Sequence, residues 1–148
     1  MSAEDKIREG ARPFLEDGEE VVAAFVARPR GWTQTHAGAA GLGRGQQSKA
    51  QAGAEAAGFE LASPMALAIT QRRLLSFALG GAAVGAGDVK ELVGAAPLSE
   101  VDSIKVKRLL MGKVVTVSVR GNEFKLEAGA GANAKGVAEA FGSAHAAA

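Results

Sequence analysis

Two histidines, no cysteine and 16 Asp and Glu residues bound the chemistry open to this chain. Covalent catalysis needs a hydroxyl or thiol beside a base, most often an imidazole. His36 lies in a Gly- and Ala-rich stretch and His145 in an Ala-rich tail, so both read as solvated and no catalytic residue is assigned. The absence of thiols excludes disulfides and sulfur-built zinc sites, and no metal ligands are assigned. The carboxylate pairs Glu16-Asp17 and Glu19-Glu20 flank Gly18, where a solvated cap beside a turn is preferred over an acid and base pair. An enzymatic reading would have to combine a Ser or Thr with Glu19 or Glu20. The run Gly41-Leu42-Gly43-Arg44-Gly45 looks like a phosphate loop, yet the Lys-Ser/Thr and the strand-to-helix setting are missing, so it reads as a linker. The expectation is a non-enzyme with no cofactor and no small-molecule substrate.

Binding chemistry is better supplied. Lys105, Lys107, Arg108 and Lys113 flank Leu109-Leu110-Met111, so a turn between two strands would present an apolar tip ringed by cations. Such a tip suits an anionic membrane surface, at about 1 kcal/mol per Lys or Arg near anionic lipid, or an acidic protein groove. The competing reading, preferred on sequence alone, folds Leu109 and Leu110 back into the core and leaves the cations merely solvated. A second candidate contact is Arg28, Arg30 and Trp32, where an exposed indole would serve a protein partner. With 17 Lys and Arg against 16 Asp and Glu, the net charge of +1 names no partner and argues against nucleic acid.

These residues need a scaffold, and 148 residues suffice for one domain, 1–148. Aromatics make up only 5% of the chain, so Ala, Val and Leu must fill most of its core. Ile7, Ala11, Phe14 and Leu15 share a helical stripe that Pro13 must end or restart. Val21 to Ala27 is apolar on both faces and reads as a buried strand. From Gly31 to Gly58 the large apolar residues thin out, and 31–58 is expected to be an insertion between the first two strands, mobile or partner-dependent. Leu67 and Ile69, then Leu75 and Phe77, alternate around Gln71-Arg72-Arg73 as a hairpin. Lys90 to Ala96 and Val101 to Val106 give two more strands, and Lys113 to Arg120 turns at Gly121-Asn122 into Phe124 to Ala128. A last helix from about Asn133 to Phe141 precedes a tail, 143–148, expected to fray. The start of the chain has no basic and apolar signal blocks, and no apolar run approaches about 18 residues, so a cytoplasmic location is expected.

Several short motifs agree in order. Met65 to Phe77 carries Thr70, Arg72, Arg73, Leu74 and Phe77 in the pattern "(apolar)-T-x-R-R-L-(apolar)-x-F"; Pro97-Leu98-Ser99-Glu100-Val101 and Leu15-Glu16-Asp17-Gly18-Glu19-Glu20-Val21 match "P-L-x-x-(apolar)" and "L-x-x-G-E-x-(apolar)". Together with the Gly121 hairpin and Asn133-Ala134-Lys135, these resemble bacterial pleckstrin-homology-like, GRAM-related domains over Leu15 to Phe141, the insertion excepted. The resemblance implies a mainly β (α+β) fold: an antiparallel split barrel of about seven strands with a short N-terminal helix and a C-terminal capping helix. Where such domains bind phosphoinositides, the cations cluster in the loop between the first two strands. That loop is here the insertion, with only Arg44 and Lys49 inside it, which counts against inositol-phosphate recognition. The leading functional expectation is an interaction or assembly module binding protein partners or itself, through strand edges or Gly-Ala segments. The alternative is a peripheral domain at the inner face of an anionic membrane, using the basic and apolar turn.

Overall fold

The structure, a computed structural model, describes residues 3–29, 52–62, 64–80, 88–110, 112–129 and 131–147. Helix α1 (Ala3–Ala11) places Glu4 and Asp5 in its first turn, where the helix dipole favours carboxylates. It stops before Pro13, which instead sits at the start of a separate 3-10 turn over Arg12–Phe14. A proline has no amide N–H to donate the hydrogen bond that a continuous helix would require there.

Seven strands follow: β1 (Val21–Pro29), β2 (Met65–Thr70), β3 (Arg73–Leu79), β4 (Val89–Pro97), β5 (Val101–Leu109), β6 (Gly112–Val119) and β7 (Asn122–Ala128). Helix α2 (Ala134–Ala147) closes the chain. The strands form one antiparallel sheet in the order β4-β3-β2-β1-β7-β6-β5. β1 pairs with β2 from Val21 to Ala27 and then with β7 from Ala27 to Pro29, so it joins a four-strand meander to a three-strand one. β4 and β5 end the sheet without pairing to each other, which leaves the barrel split. One helix, seven antiparallel strands and a closing helix is the order that the pleckstrin-homology-like resemblance implies.

Two apolar layers hold this sheet. On the inner face Phe25, Leu67, Ile69, Val115, Val117, Phe124 and Leu126 meet Val137 and Phe141 of α2. On the outer face of β1–β3, Ala24, Ala66, Ala68, Leu75 and Phe77 receive Ile7 and Ala11 of α1. The alanines are what let α1 come close, and burying Ile7 alone is worth roughly 1.5–3 kcal/mol. Covered on both sides, these strands need no polar alternation, which accounts for the continuous apolar run of β1.

Part of the expected insertion, 31–58, falls among the described residues. Within it, 52–56 is a helical turn and Ala54 and Ala57 are at most 1% exposed, as is Phe59 just beyond it. Phe59 stacks on Phe124 with ring centroids 5.4 Å apart and planes at 19°. One aromatic after the Ala-rich stretch supplies the apolar anchor that the stretch itself lacks. The 30–51 part lies outside the described residues. The tail expected to fray is helical through Ala147, in keeping with alanine's high helix propensity.

Candidate functional site: the β5–β6 hairpin and the buried 15–20 turn

β5 alternates until its inward residues run out. Val101 and Ile104 are buried and Val106 packs against the core, while Lys105 and Lys107 face solvent. Beyond Val106 the hairpin projects past the core, and Arg108, Leu109 and Leu110 are all exposed. Leu109 pairs with Gly112, and Leu110 lies in the turn between the two strands. Gly112 sits at φ +120°, and a Cβ there would come within 2.7 Å of the Ala128 carbonyl oxygen. Leu110 is 101% exposed, with Leu109 at 36%. The preferred sequence reading, in which both leucines return to the core, is therefore corrected.

The surrounding cations are not equivalent. Lys105, Lys107 and Arg108 are exposed and make no ion pair with the described residues. Lys113 is half-buried and its ammonium donates to the Ala132 carbonyl at 2.9 Å, tying β6 to the start of α2. It supports the hairpin rather than ringing the tip. Arg28 lies on β1 opposite Glu127, three strands from Lys107 on β5. Met111, Arg30, Trp32, His36, Arg44 and Lys49 lie outside the described residues, as does the side chain of His145.

The two motifs that carry the resemblance meet each other instead of the tip. Gly18, at φ +77°, turns the chain so that the Glu19 side chain points inward, where it is wholly buried. Arg73 donates to both its oxygens, Nη2 to Oε1 at 2.6 Å and Nε to Oε2 at 2.9 Å. Thr70 Oγ1 adds a bond to Oε2 at 2.7 Å and the Glu16 amide one to Oε1 at 3.0 Å. Gln71 locks the same turn from outside, donating to the Gly18 carbonyl and accepting from the Glu20 amide. The Arg73 guanidinium, against the opposing cost of burial, holds the Glu19 carboxyl down at about 2.

Sequence reasoning allowed for a hydroxyl beside Glu19, and Thr70 is that hydroxyl. A buried carboxylate with both oxygens occupied and so low a pKa is a poor base. Thr70 Oγ1 in turn accepts from the amides of Arg72 and Arg73, so it is fixed as a strand-end cap. The pair of Glu19 and Glu20 is thus not a solvated cap, since Glu19 ties the segment before β1 to the β2–β3 hairpin. Among the described residues no group of three or more His, Cys, Asp or Glu could hold a metal ion, and no helix is long and apolar enough to cross a membrane.

The chain is similar to the crystal structure of the pleckstrin homology domain from Shewanella amazonensis SB2B, at 13% identity over 93% of this chain and 94% of that one, with a TM-score of 0.49. It is also similar to a DUF1696 family protein with a pleckstrin-homology domain from Shewanella loihica PV-4, at 12% identity over 94% and 93%, with a TM-score of 0.48. No family model and no curated protein matches the chain.

Proposed function

We propose that the chain is a non-enzymatic binding module that docks reversibly on anionic membrane surfaces through the β5–β6 hairpin. The observation that carries this reading is Leu110, fully exposed at the end of a hairpin whose Lys105, Lys107 and Arg108 are unpaired among the described residues. Apolar residues at a tip with cations behind it match the boundary between acyl chains and anionic headgroups. Three cations at about 1 kcal/mol each and one leucine at about 2 kcal/mol sum to the order of 5 kcal/mol, a dissociation constant of roughly 0.1–1 mM. Attachment of that strength is transient and sensitive to salt.

Co-sedimentation with anionic and neutral vesicles across a salt series tests it. Retention on anionic vesicles should fall as salt rises, and Leu110→Asp or the pair Lys105→Glu with Lys107→Glu should abolish it. Equal retention on neutral vesicles, or no response to these exposed substitutions, would sink the reading.

A second reading, association with a protein partner or a second copy, is favoured by the two sheet ends that lack a neighbouring strand among the described residues. Both ends resist strand addition, however. β5 carries Lys105 and Lys107, and β4 ends on Pro97 with its Val89 lying against Gly10 of α1. A strictly monomeric mass at high micromolar concentration counts against self-association.

A further inference from the structure

Between α1 and the first residues of β1 lies a cleft of about 480 Å³, lined by Arg8, Arg12, Leu15, Glu19, Glu20 and Val21. That volume suits a small molecule or the last residue of a peptide. Arg8 and Arg12 stand one helical turn apart on the same side of the chain. The Arg8 Nη2 donates to the Val22 carbonyl at 2.7 Å, which fixes this guanidinium in the cleft wall. It also pairs with Glu4 at 3.5 Å, and its Nε–H is buried with no acceptor. Arg12 is exposed and makes no ion pair with the described residues.

The acidic members of the lining make no ion pair with Arg12. Glu19 is held by Arg73, so it offers the cleft no free carboxylate. Glu20 is exposed and engages Gln71 through its backbone amide, which leaves its carboxylate at the rim. Leu15 and Val21, both half-buried, supply an apolar wall. With Glu4 the counter-ion of Arg8 and Glu20 at the rim, the cleft is formally neutral and Arg12 is its guanidinium without an ion pair among the described residues, which disfavours a phosphate dianion, and the planar guanidinium fork matches a carboxylate.

We infer that this cleft binds a monocarboxylate borne on a small aliphatic residue, supplied either as a free amino acid or as the C-terminal residue of a polypeptide. The carboxylate lies against Arg8 and Arg12 and the aliphatic group against Leu15 and Val21. In the free amino acid the ammonium meets Glu20. The site is separate from the hairpin tip and does not depend on membrane docking.

The test is an amide chemical-shift titration of the full chain with leucine, N-acetyl-leucine and N-acetyl-leucinamide. Saturable shifts at Leu15, Glu20 and Val21 are expected with at least one of the two carboxylates and none with the amide. Leucine binding ten times more tightly than N-acetyl-leucine assigns the free amino acid; equal or weaker binding of leucine assigns the peptide end. Arg12→Gln, an exposed substitution that leaves the fold intact, should weaken binding at least tenfold, whereas Lys107→Glu should leave it unchanged. No saturable shift with either carboxylate, equal binding of the amide, or indifference to Arg12→Gln would overturn the assignment.

Discussion

Glu19 keeps its charge in the interior because Arg73, Thr70 and the Glu16 amide occupy both its oxygens. Its pKa falls from 4.5 to about 2, so the contribution is fully present above about pH 5 and is lost as pH drops through the folded value. A shift of this size corresponds to about 3 kcal/mol. Urea unfolding should therefore show wild-type stability declining between about pH 5 and pH 2, over and above the decline of Glu19→Gln. At pH 7 that variant should lose roughly 2–3 kcal/mol, since it leaves the Arg73 guanidinium without its partner. Equal stability of the two proteins at pH 7 would show that the pair is dispensable. The sequence contains both partners, one in "L-x-x-G-E" and one in "T-x-R-R-L", but 54 positions separate them. Local spacing reports a carboxylate beside a turn, and only the β1–β2 and β2–β3 pairings bring the guanidinium to it.

At the scale of elements, strands were legible wherever alternation or turn chemistry marked them. β6 and β7 around Gly121 and β2 and β3 around Gln71-Arg72 form as their spacing predicts. The docking of 52–62 was not legible, although its Ala-rich composition suits a helix, because its anchors come from the far end of the chain. Arg120, held at φ 50°, donates to the Ala57 carbonyl at 2.6 Å and pairs with Glu100, and Asn122 donates to the Ala56 carbonyl at 3.2 Å. The β6–β7 turn thus caps the helical turn 52–56, with Gly58 at φ +73° ending it. Gly53 lies so close to β7 that a Cβ would run into the Glu123 carbonyl oxygen. Replacing a helical glycine by alanine ordinarily gains about 0.5–1 kcal/mol. Here Gly53→Ala should instead cost roughly 1–3 kcal/mol, because the obstacle is backbone and must shift. A lowered urea midpoint confirms this docking, whereas a raised one would mean that 52–56 stands away from the sheet.

For the whole molecule, the question is whether binding follows net charge or its placement. The net charge of +1 is too small to draw the chain to an anionic surface from afar, and beyond about 10 Å at 0.1 M salt any such pull is screened. Docking must then come from the few cations that touch the surface together with Leu110. The tip was legible in composition, since Lys105, Lys107 and Arg108 stand beside two leucines. Its exposure was not, because how far the hairpin runs past the core depends on the β5–β6 and β6–β7 pairings. Placement can be separated from total charge by two pairs of substitutions that change the net charge equally. Lys6→Glu with Lys90→Glu alters exposed positions on α1 and on β4, the strand at the opposite end of the sheet from β5. Lys105→Glu with Lys107→Glu alters the hairpin. If placement governs, the first pair should retain binding to anionic vesicles within about twofold of wild type, while the second should lose at least tenfold. Equal losses in both would show that the vesicles sense bulk charge, and the hairpin would then have no special part in docking.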